Sequence, residues 1–179
     1  MDTSEESPDF LGLYERYFPL VWRWAARFGV PHHSLDDVVQ EVFLTLYKRL
    51  DDFEGRSSLR SWIFAVTYRV VSNFRRRRGS RPAGDGDAEV DAIAAEGVPP
   101  EAAATQSEAI TLLQSILDDL DDEKREVFVM AELEGLNATE IGHLLGVSSN
   151  TVASRLRHAR EAVRAAWERA KARDAWRLR

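Results

Sequence analysis

The chain has 179 residues, 44% of them apolar, and a formal net charge of −6, enough for one medium domain or two small ones to bury a core without covalent staples. It contains no cysteine, which excludes disulfides, thiolate catalysis and cysteine-ligated zinc or iron–sulfur centres and suits a reducing compartment. The acidic stretch from Met1 to Pro8 lacks the basic and apolar regions of a secretion signal, and no apolar run approaches the roughly 20 residues that span a bilayer. The expectation is a soluble, unexported, cytoplasmic protein without membrane insertion.

The net charge conceals a segregation. Residues 55–82 carry eight basic and no acidic residues, residues 83–122 eleven acidic and no basic ones, and residues 147–179 nine basic against three acidic. Two basic blocks divided by an acidic stretch predict two separate polyanion contacts. From Ala83 to Gln106 there is neither a basic nor an aromatic residue, but three glycines and the Pro99-Pro100 pair, the composition of a linker. On both sides the apolar period is helical. The reading is all-α, with small helical modules over 1–82 and 106–179 joined by a flexible acidic linker over 83–105.

The first helix is signalled by Ser7-Pro8 as cap and first turn and by Phe10, Tyr14, Tyr17, Val21, Trp24 and Phe28 at helical spacing, with Pro19 predicting a kink and Gly29 the end. Ser34 reads as the N-cap of a second helix, with Asp36 and Asp37 in its first turn and Leu35, Val39, Val42, Leu46 and Leu50 inward. Another face of that helix carries Asp37, Gln40, Glu41, Leu44 and Tyr47, either a solvated face or a docking face for another protein. His32-His33 beside Asp36 reads as solvated polar residues rather than a metal site. After the loop 51–58, a third helix begins near Leu59, with Trp62, Ile63, Val66, Val70 and Phe74 on one stripe, and runs into Arg75, Arg76, Arg77 and Arg78. Four guanidinium groups on about one turn repel unless an anion neutralises them, and nucleic-acid phosphate is the obvious anion. A basic helix end that merely complements the dipole is the plainer alternative.

In the C-terminal module two periodic helices, Ala109 to Leu120 and Glu123 to Leu133, precede the most specific signal. Asn137-Ala138-Thr139-Glu140 resembles a capping box opening a short helix with Ile141, Leu144 and Leu145 inward, ended by Gly146, while Gly142 permits close helix approach. Ser148 caps a further helix whose inward stripe is Val152, Leu156, Ala159 and Val163, the pattern of a helix-turn-helix. Ser149, Asn150, Ala153, Ser154 and Arg157 face outward for groove entry, with Arg155, His158 and Arg160 flanking them. Trp167 and Trp176 read as helix packing.

These residues resemble the extracytoplasmic function sigma factors of bacterial RNA polymerase, within the sigma-70 superfamily. Leu35-Asp36-Asp37-Val38-Val39-Gln40-Glu41-Val42-Phe43 resembles the part of region 2 that docks on the polymerase clamp, Ser61-Trp62-Ile63-Phe64 through Asn73-Phe74-Arg75-Arg76 the promoter-melting helix, and Glu140-Ile141-Gly142 through Thr151 to Arg160 region 4. Asn150 and Ala153 stand where the family commonly has glycine and lysine. The resemblance implies polymerase binding through Asp36, Asp37, Gln40, Glu41, Leu44 and Tyr47. It implies minus-10 contacts from Phe53, Arg56, Ser57, Ser58, Arg60, Trp62, Asn73 and Arg75 to Arg78, and minus-35 contacts from Ser148, Ser149, Asn150, Thr151, Ser154, Arg155, Arg157, His158 and Arg160. Core RNA polymerase (clamp and flap) and promoter DNA are the implied partners, and an anti-sigma factor is admitted. With no Walker loop, nucleophile–base motif or paired metal carboxylates, no enzymatic activity, metal or cofactor is expected. A helix-turn-helix regulator acting without polymerase, or a pure protein-interaction module, are the rival classes. Promoter elements about 20 base pairs, or ~68 Å, apart would require the linker to be stretched, since 23 residues reach at most about 76–83 Å.

Overall fold

The computed structural model describes residues 10–79 and 100–177, and side-chain surroundings for 10–78 and 108–173. Its helices are α1 (Phe10–Arg27), α2 (His32–Arg49), α3 (Leu59–Gly79), α4 (Pro100–Asp118), α5 (Asp122–Phe128), α6 (Ala138–Leu145) and α7 (Ser149–Arg177). A 3-10 turn, Leu50–Asp52, follows α2, and a π-helical turn, Val129–Leu133, continues α5. Among the described residues there is no strand, as an all-α pattern requires. They divide into two compact units, one built on α1–α3 and one on α4–α7.

In the first unit α1 buries Leu13, Tyr17, Val21 and Trp24, spaced by four, four and three residues. Pro19, expected to kink α1 rather than break it, is exposed and leaves the 18-residue helix unbroken. The Ser7-Pro8 cap lies outside the described residues. Gly29, at φ 83°, ends the helix as expected, and the Val30 amide donates back to the Ala25 carbonyl at 3.1 Å. The second helix starts earlier than its capping residues suggest. Its N-cap is Pro31, whose carbonyl accepts from the Ser34 amide at 2.9 Å, so Ser34 lies inside the first turn and Asp36 and Asp37 beyond it. Proline's fixed φ (−61°) starts this helix on the backbone alone. Leu35, Val38, Val39, Val42, Phe43 and Leu46 fill its inner face. Ser58 caps α3, its hydroxyl accepting from the Ser61 amide at 3.1 Å. Ile63, Phe64, Val66, Thr67, Val70 and Val71 of α3 are buried, and Thr67 satisfies its hydroxyl by donating to the Ile63 carbonyl at 2.8 Å.

The second unit opens inside the span read as linker. Residues 100–105 are helical, because Pro100 has the φ of a first helical turn and Ala102 to Ala104 are the strongest helix formers. Of the span expected to be linker, residues 83–99 lie outside the described residues. At the other end of α4, Arg125 is buried and reaches back from α5. Its Nε donates to the Leu117 carbonyl at 2.7 Å, and its Nη2 to the carbonyls of Asp118 and Leu120, both at 3.0 Å. One side chain thus donates to three carbonyls at and just beyond the end of α4, where i+4 donors run out; the Leu117 carbonyl also accepts from the Leu120 amide at 3.2 Å. Leu117, Val127, Val129, Met130, Ile141, Val152 and Ala159 form the core where α5 and α6 pack on α7.

Candidate nucleic-acid and partner interfaces

On α2, Leu44 and Tyr47 are 52% and 64% exposed. Asp36, Asp37 and Gln40 are exposed beside them, and Glu41 is half-buried. Asp36, Gln40, Leu44 and Tyr47 edge a groove of about 440 Å³. Its floor and far wall are Val39, Phe43 and three α1 residues, Phe10, Tyr14 and Phe18. The α1 wall is a ladder: Phe10 stands edge-on to Tyr47 at 5.1 Å, Tyr14 lies 4.6 Å from Phe43, and Phe18 stacks on Phe43 at 6.3 Å. Sequence periodicity had placed Phe10 and Tyr14 on the inward stripe. Tyr14 is instead 39% exposed, because Leu13 takes the buried position and rotates its neighbour outward by one helical step.

The residues read as minus-10 contacts fall into two groups. At the start of α3, Phe53 lies 5.4 Å from Trp62 and Arg60 sits 5.6 Å over the Trp24 ring. Arg56 pairs with Glu54, Ser57 donates to the Ser58 carbonyl at 3.4 Å, and Ser58 is engaged as the α3 cap. At the far end, Asn73 accepts from Arg76, Arg77 approaches Glu41 at 3.8 Å, Arg76 and Arg77 are exposed, and Arg75 and Arg78 are half-buried. At 1.5 Å per residue the groups lie about 20 Å apart along the helix axis, so they cannot grip one nucleotide.

In the second unit the helix-turn-helix is built as its caps foretell. Asn137 Oδ1 accepts from the Thr139 and Glu140 amides, each at 3.0 Å, and Glu140 Oε2 accepts from the Asn137 amide at 2.8 Å. Gly146, at φ 69°, closes α6, and Ser148 caps α7 by accepting from the Thr151 amide at 3.1 Å. A Cβ on Gly142 would lie 2.7 Å from the Val147 carbonyl oxygen, so only glycine lets the turn pass this close. Ser149, Asn150, Ala153, Ser154, Arg157, His158 and Arg160 are exposed along α7, with Thr151 and Arg155 half-buried. Trp167, expected to pack, is 39% exposed with the Lys171 ammonium 5.7 Å from its ring centre; Trp176 lies outside the described side chains.

Sequence reasoning did not find the acids facing these cations. Glu123 Oε1 accepts from Arg155 Nη2 at 2.5 Å, and Glu132 Oε1 accepts from Arg160 Nε and Nη2 at 2.9 and 2.6 Å. Glu161 faces both Arg157 (3.3 Å) and His158 Nδ1 (3.5 Å). Arg157 Nη2 lies 3.1 Å from His158 Nε2, an arrangement that suits the Nδ1-protonated tautomer of a neutral imidazole, because arginine only donates. Of these, the pairs of Glu161 with Arg157 at i,i+4 and with His158 at i,i+3 could have been read from sequence. Among the described residues no cluster of metal-ligating side chains occurs, and no helix is long and apolar enough to cross a membrane.

The family model for sigma-70 region 2 matches residues 13–81, and that for sigma-70 region 4 matches residues 110–163. The chain is 30% identical over 150 residues to the RNA polymerase sigma factor NccH of Alcaligenes xylosoxydans xylosoxydans, covering 83% of this chain and 81% of that one. It is 30% identical over 161 residues to the ECF RNA polymerase sigma-E factor of Escherichia coli K12, covering 84% and 82%. Among solved structures it is similar to CnrH in complex with the cytosolic domain of CnrY, at a TM-score of 0.57 and 27% identity over 89% of this chain and 87% of that one. It shares the fold of the sigma factor RpoE of Bartonella quintana, solved with the anti-sigma factor NepR, at a TM-score of 0.69 and 20% identity over 89% and 97%. With both regions matched in order, an aromatic-walled groove in the first unit and a capped helix-turn-helix in the second, the chain belongs to the sigma-70 family as an extracytoplasmic function sigma factor, the kind of protein that directs bacterial RNA polymerase to promoters.

Proposed function

We propose that the α1–α2 groove of the first unit seats core RNA polymerase, that the Phe53–Trp62 corner and the start of α3 hold minus-10 bases while Arg75 to Arg78 lie along the phosphates, and that the first turns of α7 read the minus-35 element. The single observation carrying this reading is the exposure of Leu44 and Tyr47 at the rim of an apolar groove bordered by Asp36 and Gln40. Two large apolar side chains gain nothing from water, whereas an apolar centre with a polar rim is the anatomy of a protein interface. The chain itself acts without enzymatic chemistry, metal or cofactor, and works in the cytoplasm, at the nucleoid when joined to polymerase. Because CnrH and RpoE, the solved proteins it is similar to, are bound by the cytosolic domain of CnrY and by an anti-sigma factor, an anti-sigma factor is proposed as its third partner.

The test is run-off transcription with core polymerase over a library of promoter fragments, with and without the full chain. Specific transcripts should appear only with it. Leu44→Ala/Tyr47→Ala should weaken core binding by at least tenfold, roughly the loss of one interface anchor, with helicity unchanged. Unaltered polymerase affinity in that double variant would move the docking site elsewhere.

A further inference from the structure

Three arginines in the first turns of α7 are already paired with carboxylates. Arg155, Arg157 and Arg160 each face a glutamate, and Glu161 also faces His158. With His158 neutral, three guanidinium groups stand against three carboxylates and the cluster carries no net charge. The pairing of Arg160 is the most telling. Its Nε and Nη2 hydrogens form the fork that a phosphate takes side-on, and both point at Glu132 Oε1. Glu132 sits in the π-helical turn Val129–Leu133 and Glu123 in the first turn of α5, so neither belongs to the helix it neutralises.

We propose that Glu123 and Glu132 are built-in competitors of DNA phosphate, which keep α7 of the free sigma factor from gripping duplex DNA until polymerase and the correct bases hold it there. The proposal rests on α7 being the DNA-facing helix. The ion pairs are exposed, with side chains 56% and 35% accessible for Arg160 and Glu132 and 24% and 65% for Arg155 and Glu123. Exposed pairs are weak and exchange readily, so a phosphate can replace either carboxylate. The displaced carboxylate then stays beside the DNA and repels it, within the ~8 Å over which charges act at physiological salt. Non-specific binding, which is almost wholly electrostatic, is lowered in every sequence context. Binding by the holoenzyme survives, because tethering through the first unit raises the effective concentration of α7 at the promoter.

The test uses the full chain and a 30-base-pair mixed-sequence duplex, with affinity measured from 50 to 200 mM NaCl. Glu123→Gln/Glu132→Gln keeps an oxygen for each arginine but removes the charge. It should bind roughly five- to thirtyfold more tightly near physiological salt, with a log–log salt slope steeper by about one to two. Arg155→Ala/Arg160→Ala should bind more weakly with a shallower slope. If the arginine variant weakens but the glutamine variant binds as the parent does, or more weakly, the glutamates position the arginines or do nothing, and the competitor role is overturned. If the arginine variant binds unchanged, α7 does not face DNA, and the minus-35 assignment fails together with this one.

Discussion

Asp121 shows how much one short side chain decides. Its carboxylate caps α5 by accepting from the Lys124 amide at 2.9 Å and also holds the Lys124 ammonium. Those side-chain and backbone hydrogen bonds with Lys124 hold its carboxyl below the ordinary 3.8. A depressed carboxyl adds stability that is fully present above its unfolded value and is lost as pH falls through the lower, folded one. Asp121→Ala should therefore destabilise the protein at pH 7 by about 0.5–1 kcal/mol, the low end for caps because the site is exposed. Asp121→Asn keeps the cap and should be nearly neutral at pH 7, while flattening the loss of stability below about pH 4. Thermal unfolding of the three proteins from pH 2 to 7 checks both outcomes; parallel acid limbs in the parent and the asparagine variant would contradict the cap's role in acid sensitivity.

At the scale of the element, opposing magnitudes meet in α6. Replacing glycine by alanine in a helix ordinarily gains about 1 kcal/mol. At Gly142 the new methyl would meet a backbone oxygen at 2.7 Å, which cannot turn aside as a side chain would, and overpacking of this kind loses about 1–3 kcal/mol. The clash wins. Gly142→Ala should lower stability by up to about 2 kcal/mol and weaken minus-35 binding while leaving polymerase docking intact, as denaturant titration and pull-down would show. The α6–α7 pair was legible because its determinants are local: Asn137, Glu140, Gly146 and Ser148 act within three or four residues of themselves. The start of α2 was misplaced because Ser34 has a cap's side chain but a helical interior position, set by Pro31 three residues earlier than expected. What sequence could not disclose is tertiary. Tyr14 at the groove, Arg125 closing α4, and Glu123 and Glu132 on the α7 arginines all depend on helices that meet only after folding.

For the whole molecule the start of α4 changes the reach between the modules. With residues 100–105 helical, the seventeen residues 83–99 extend at most about 56–61 Å, and the six helical residues add only ~9 Å. Against the ~68 Å of about 20 base pairs, simultaneous engagement needs this segment near full extension, less the reach of the modules themselves. Deleting residues 86–95 leaves seven residues before Pro100, about 23–25 Å. Run-off transcription from promoters needing both elements should then collapse, while core polymerase is still bound. Reinserting ten Gly/Ser residues should restore it. Full activity of the deletion would show that the two elements are not engaged together.

The length of α7 has an evolutionary consequence. One unbroken helix carries the exposed Ser149 to Arg160 surface at its start and buries Ala159, Ala166 and Ala170 along its course. Successive residues advance by about 100° around such a helix. A single inserted or deleted residue between the exposed turns and Ala166 would swing the outward side chains of those turns roughly a quarter-turn from their register against the rest of the unit. If these turns read the minus-35 element as proposed, promoter preference can diverge by substitution at Ser149, Asn150 or Arg157 without disturbing the fold, but this stretch of α7 cannot change length, and lineages descending from this chain should vary there in letters rather than in spacing.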